Sequence, residues 1–265
     1  MQRTTLPALM AAYDAFLIDQ YGVLRDENGL YPGALGALAA LRTGRKRAII
    51  LSNSGRSAAS NALRLASSGI NAGLYDHVVT SGEVAFAQLA KDISPGTTVF
   101  EIASGAATDL PERLGLARSP VAEQAGLILV SGAATETIPM TEYRRLLAPA
   151  AAAGVPVICT NPDLIKIGPQ GKLLPGAGAL AALYSDLGGS VRQIGKPYPD
   201  IYAAALALLP GIARDRILCI GDSPAHDIAG ARAVGLASCL VETGVGAAHG
   251  AADPPADYVM AAFAA

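Results

Sequence analysis

Short runs of apolar residues, each closing on small or polar residues, recur along the chain. They are AFLIDQYG from Ala15, RAIILSNSG from Arg47, HVVTSG from His77, VRQIGKP from Val191, RILCIGDS from Arg216 and ASCLVETG from Ala237. Continuous rather than alternating apolar runs belong to strands buried on both faces, as parallel strands are. Between them lie Ala/Leu-rich stretches such as GALGALAALR from Gly33 and SAASNALRLASSG from Ser57, the latter closing on a glycine suited to a left-handed helix end. This alternation predicts an α/β protein built on a doubly wound parallel sheet. Ligands of such sheets bind beyond the carboxyl ends of the strands, so the polar residues that close these runs are the first candidates for chemistry.

A second group of strands interrupts the series: TVFEIAS from Thr98, GLILVSG from Gly126 and VPVICTN from Val155, with a helix from about Met140 to Ala153. Ser81-Gly82 and Pro175-Gly176 punctuate its two ends. The expected organisation is therefore a core of residues 1–82 and 177–265 interrupted by a smaller α/β domain of residues 83–176. Gly176-x-Gly178-x-x-Ala181 has the outline of a dinucleotide fingerprint, but it lacks a convincing preceding strand and a downstream ribose-binding acid.

Composition narrows the class further. Hydrophobic residues make up 51% of the 265, and 20 Lys+Arg nearly balance 22 Asp+Glu, which excludes a disordered chain. The near-neutral balance gives no sign of a nucleic-acid or anionic-membrane partner. Apolar runs stop well short of the ~20 residues a membrane span needs, and Asp14 and Asp19 interrupt the apolar N-terminal stretch, so a cytoplasmic protein is expected. Cys159, Cys219 and Cys239 sit in or after β-branched runs, the setting of buried reduced thiols.

Four strand ends carry the candidate chemistry. Asp19 closes the first run beside Gly22, where backbone can approach a ligand closely; a polar residue ending a strand is the plainer reading. Ser52 closes the second, where a hydroxyl and the following N–H groups make a small anion nest or simply a turn. Lys196 lies in QIGKPYPD and is either a paired buried cation or an exposed loop residue. Asp222 ends a strand and Asp227 follows at the start of the next helix. Two such carboxylates facing one point call for a cation such as Mg²⁺, against the alternatives of a turn residue and a helix N-terminal charge.

Together Asp19, Ser52, Lys196 and the Asp222/Asp227 pair resemble the four motifs of the haloacid dehalogenase-like hydrolase superfamily, over nearly the whole chain. Too few residues separate Asp19 from Ser52 for an inserted domain, whereas the stretch from Ser52 to Lys196 accommodates one. GVLRDENGLYPGA, TSGE, TNPD at 160–163 and LLPGAGALAAL resemble the NagD-type subclass, which includes p-nitrophenyl phosphatases. The resemblance implies a Rossmann-like core with an inserted cap domain that closes over the site. It implies a Mg²⁺-dependent phosphatase of a small phosphorylated metabolite (a sugar phosphate, nucleotide, or aryl or acyl phosphate) acting through an aspartyl phosphate. Asp19 would attack, with Mg²⁺ held by Asp19, the Tyr21 carbonyl and Asp222. Ser52 and Lys196 would hold the phosphoryl oxygens, and Asp227, counted with the metal residues, would orient metal-bound water or Lys196. Asn53, Ser54, Gly55 and Arg56, with Asn161 and Asp163 of the cap, would meet the substrate. Subclass members often dimerise through their caps, which makes a homodimer an expectation of the resemblance alone.

One residue departs from the pattern. The family's phosphatases place a second aspartate two residues after the nucleophile, as acid and base; this chain has Tyr21. Tyrosine there resembles the haloacid dehalogenases themselves, although those lack an acid matching Asp222. A 2-haloacid dehalogenase and a weakly catalytic phosphometabolite-binding protein are therefore the alternatives. Asp26, Glu27 and His226 are candidate replacements for the missing acid, while His77 and His249 have no motif context.

Overall fold

The computed structural model describes residues 1–245 and 255–265, so His249 lies outside the described residues. It separates into two compact units, one of Met1–Ser52, Ala58–Val79 and Lys196–Ala265, the other of Asn53–Ser57 and Thr80–Gly195. The first unit opens with β1 (Gln2–Arg3), α1 (Leu6–Ala12) and β2 (Ala15–Ile18). It continues through the hairpin β3 (Arg25–Asp26) and β4 (Gly29–Leu30), α2 (Ala34–Thr43), β5 (Arg47–Ser52), α3 (Ala58–Ser67) and β6 (His77–Thr80). The second holds α4 (Ser81–Asp92), β7 (Thr98–Ile102), α5 (Leu110–Arg113), β8 (Ala117–Arg118), β9 (Leu127–Val130) and α6 (Met140–Ala152). After these come β10 (Val157–Cys159), β11 (Ile165–Ile167), β12 (Leu173–Pro175), α7 (Ala177–Asp186) and β13 (Val191–Gln193). The chain then returns to the first unit for α8 (Pro199–Leu206), β14 (Ile217–Gly221), a π-helical turn at Pro224–Ile228, α9 (Ala229–Ala233), β15 (Ala237–Val241) and β16 (Tyr258–Met260).

In the first unit the strands lie in the order β1-β16-β15-β14-β2-β5-β6. The central strands β14, β2 and β5 run parallel. Every residue of β2 and β14 is buried, which is why their sequences read as unbroken apolar runs. Phe16, Ile18, Ile50, Leu218 and Ile220 join one cluster with Leu6 and Leu9 of α1 and Leu38 and Leu41 of α2. That packing fixes the heights of β2, β5 and β14, and with them the residues that follow each strand. Among the described residues, no helix is long and apolar enough to cross a membrane. All three cysteines are buried and free.

The second unit has its own parallel sheet, β13-β10-β9-β7-β8. This moves the expected boundary: the unit runs on to Gly195 rather than ending at 176. VRQIGKP, expected among the core strands, instead supplies β13, which pairs in parallel with β10 from Val157↔Val191 onward. The preceding helix α7 buries Leu180, Ala181 and Tyr184 in the same cluster as Tyr143, Leu147 and Val157, so it too belongs to this unit. The Gly176/Gly178 segment follows the antiparallel hairpin β11–β12 and bonds back to the carbonyls of Leu164 and Asp163, an arrangement unlike a dinucleotide loop.

Gly195 closes the second unit with φ of +134°, and a Cβ there would lie 2.5 Å from Ser81 Oγ, 2.6 Å from Asn53 Oδ1 and 2.8 Å from Pro162 Cδ. Both the backbone angle and the contacts oppose a side chain. Gly195→Ala is expected to destabilise the protein by about 2 kcal/mol. A melting temperature equal to that of the wild type would contradict this.

Candidate active site

Adjacent strands deliver two carboxylates to one place. β2 pairs with β14 with Ile18 opposite Ile220, and the ladder continues one step further as the Asp19 N–H donates to the Ile220 carbonyl at 2.9 Å. Asp19 follows β2, and Asp222 follows β14. The turn after Asp19 reverses at Gly22, whose φ is +93° and where a Cβ would overlap the Asp222 carboxylate. Glycine is required there on both counts. Thr243 Oγ1 donates to the Gly22 carbonyl at 2.5 Å and the Val245 N–H to Asp222 Oδ2 at 2.7 Å, so the loop after β15 closes around the same carboxylate.

Lys196 and Asp227 complete the cluster. The Lys196 ammonium lies 2.5 Å from Asp19 Oδ1 and 2.7 Å from Asp227 Oδ1, with its side chain only 4% exposed. The Ser223 N–H donates to Asp227 Oδ2 at 3.0 Å, and Tyr202 Oη reaches the carbonyls of His226 and Asp227, holding the π-helical turn that presents Asp227. Oxygens of Asp19, Asp222 and Asp227 all lie within 4.8 Å of one another, and the three residues are buried. Three carboxylates around one ammonium leave negative charge in excess. Such a group is stable only with a proton or a cation among its members. Consistent with this, burial first, and then the charges of Asp19 and Asp227, push the Asp222 carboxyl well above the usual carboxylate range. Hard oxygen donors in this number and spacing fit a divalent cation such as Mg²⁺.

Ser52 is buried at the end of β5, the strand beside β2. Tyr21 is 43% exposed, and burial of the rest of its ring raises the phenol above its ordinary value, so it is a neutral hydroxyl near neutral pH. Tyr31 was not singled out from the sequence, although burial, and then the charges of Asp26 and Asp222, raise its phenol above the ordinary value. No periodicity or spacing marks such a residue. Of the candidate replacement acids, Asp26 closes a turn by accepting from the Asn28 N–H at 2.7 Å, Glu27 is exposed in that turn, and His226 Nδ1 lies 2.8 Å from Ser223 Oγ. His77 is exposed.

The other expected substrate residues belong to the second unit, where each has partners within the protein. Asn53 Nδ2 donates to Asp163 Oδ1 at 2.8 Å, and Asn161 Oδ1 accepts from the Asp163 N–H at 3.1 Å. The Arg56 guanidinium, expected to reach a substrate anion, donates to the carbonyls of Ala106 and Ala107 at 2.7 and 3.2 Å. Ser54 Oγ accepts from the Arg56 N–H at 3.3 Å, and Gly55 packs against Ser131 and Thr160. These contacts shape the segment that follows Ser52.

Comparison with known proteins bears on this arrangement. A haloacid dehalogenase-like hydrolase model matches residues 16–117, and a HAD-hydrolase-like model matches residues 193–265. A D-glycerol 3-phosphate phosphatase of Mycobacterium tuberculosis is 32% identical over 247 residues, spanning 92% of this chain and 67% of its own. A crystal structure of a haloacid dehalogenase-like hydrolase from Brucella suis superposes with a TM-score of 0.79 at 30% identity, covering 99% of each chain. A glycerol phosphate phosphatase of Mycobacterium tuberculosis, solved in complex with magnesium, gives a TM-score of 0.72 at 27% identity over 96% of this chain and 77% of its own.

Proposed function

The chain belongs to the haloacid dehalogenase-like hydrolases, and from that premise we propose that it is a Mg²⁺-dependent, NagD-type phosphatase hydrolysing the phosphoric monoester of a small metabolite. The buried cluster of Asp19, Asp222 and Asp227 around Lys196 carries the reading. In it, a carboxylate oxygen of Asp19 attacks phosphorus, the bond from phosphorus to the leaving oxygen breaks, and an aspartyl phosphate forms. Water then attacks phosphorus and frees the carboxylate and inorganic phosphate. Mg²⁺ held by Asp19, Asp222 and the Tyr21 carbonyl would offset the repulsion between the anionic nucleophile and the incoming phosphate. Ser52, the N–H groups after it and Lys196 hold the phosphoryl oxygens where charge accumulates. Asp227, with one oxygen on Lys196 and the other on the Ser223 N–H, keeps the ammonium aimed.

Halide displacement is the weaker reading, because it gives no reason to bury a third carboxylate at position 222. A panel of phosphate esters and haloacids, assayed for phosphate and halide with magnesium and with chelator, tests the choice. Magnesium-dependent phosphate release is expected. Halide release that survives the chelator would overturn the proposal, as would binding of a phosphate analogue without any turnover.

Tyr21 sets the leaving-group preference in this proposal. A phenol is a far weaker acid than the carboxyl group it replaces and so gives a departing alkoxide less help, whereas an acidic leaving group needs little. Positioned acids typically contribute ~10²–10⁴ in rate, so Tyr21→Asp is expected to speed alkyl phosphate hydrolysis by about 10²-fold while changing aryl phosphates little. A leaving-group series on both proteins reads this directly. No gain on the alkyl esters would show that proton donation is not limiting.

A further inference from the structure

We propose that Asp163 is a positioning residue for the phosphate-binding turn, acting through Asn53 on the backbone N–H groups that follow Ser52. The inference rests on the phosphatase reading and deepens it. Asn53 is the residue covalently next to Ser52, and its side chain is buried with only 5% of the residue exposed. Both ends of its amide are fixed: Nδ2 donates to Asp163 Oδ1 at 2.8 Å, and Oδ1 accepts from Ser81 Oγ at 3.3 Å. An amide held at both ends and backed by Gly195 has one orientation, so the backbone at position 53 has little freedom to rotate.

Asp163 is itself held in place. Its N–H is bound to Asn161 Oδ1 at 3.1 Å, its carbonyl accepts from the Gly178 N–H at 3.0 Å, and the following Leu164 carbonyl accepts from the Gly176 N–H at 2.8 Å. The TNPD loop is thereby tied to the start of α7 and presents one carboxylate to one amide. A hydrogen bond to a charged acceptor is about twice as strong as a neutral one, which suits it to holding a turn against the pull of an incoming dianion. Asn161 and Asp163 thus serve to build the turn, and the phosphate meets its backbone donors.

Exchanging the partners supplies the test. Asp163→Ala removes the acceptor, and Asn53→Asp sets two carboxylates against each other, whereas the double variant Asn53→Asp/Asp163→Asn restores one amide and one carboxylate with their positions reversed. Both single variants are expected to lose roughly 10- to 100-fold in affinity for inorganic phosphate and in kcat/KM, the penalty of misplaced donors. Their magnesium affinity should be unchanged, because Asp19, Asp222 and Asp227 are untouched. The double variant should regain most of the lost phosphate affinity. Single variants that lower only the melting temperature, or a double variant no better than either parent, would overturn the inference; should Asp163→Ala fail to fold, Asn53→Asp and the double variant decide. Wild-type protein that binds phosphate without hydrolysing esters would defeat the phosphatase reading instead, and the phosphate titrations would still report on the pair.

Discussion

Asp19→Asn is expected to cut turnover by at least about 10⁴-fold, the scale on which losing a covalent nucleophile is felt. The amide is isosteric and buried, so the fold has no cause to change, but it offers no anionic oxygen to attack phosphorus. The same substitution removes one of three clustered carboxylates and leaves the Lys196–Asp227 ion pair in place. Stability measured in chelator should therefore be equal to or higher than that of the wild type, since charge repulsion in a buried site is relieved. Initial rates with magnesium, paired with thermal melts in chelator, separate the two effects. Activity and stability falling together would mean that Asp19 is structural.

The second large effect is on stability against pH. Burial and the neighbouring carboxylates raise the Asp222 carboxyl above its value in the unfolded chain. At low pH Asp222 is protonated in both states and contributes no penalty. As pH rises through the ordinary carboxylate range the unfolded chain releases its proton first, so the folded state binds more protons and the free energy of unfolding falls until the folded group also ionises. Metal-free protein should consequently lose stability from mildly acidic to neutral pH. Magnesium favours the ionised carboxylates and adds stability through binding to the folded state alone, so its effect on the melting temperature should grow as pH rises. Melts across that range in magnesium and in chelator measure it. Parallel curves would contradict a metal site at Asp222, and Asp222→Asn should flatten the chelator curve.

The residues that proved legible in the sequence share one physical cause. β2, β5 and β14 are buried on both faces, so Asp19, Ser52 and Asp222 stand out as the first polar groups after apolar runs. β13 defeated the same logic: it pairs with β10 at the end of its sheet, is only partly buried, and reads as a short mixed segment that either sheet could claim. The apolar faces of α7 likewise carry no label saying which unit they will cover. Arg56 shows how little the sequence says about partners, because a guanidinium suits a carbonyl pair as well as a phosphate, and the carbonyls it binds lie 50 and 51 residues away. Backbone donors such as the Ser223 and Val245 N–H groups, which complete the carboxylate cluster, are the same atoms at every position and leave no trace in the pattern.

The covalent role of Asp19 can be examined without inference from rates. Enzyme turning over an aryl phosphate with magnesium is quenched rapidly in acid, reduced with borohydride to trap an acyl phosphate, digested, and the peptide carrying Asp19 is analysed by mass spectrometry. Conversion of Asp19 to the reduced alcohol, absent without substrate and absent in Asp19→Asn, is the expected result. Steady phosphate release with the Asp19 peptide unmodified at every quench time would contradict nucleophilic attack by this carboxylate.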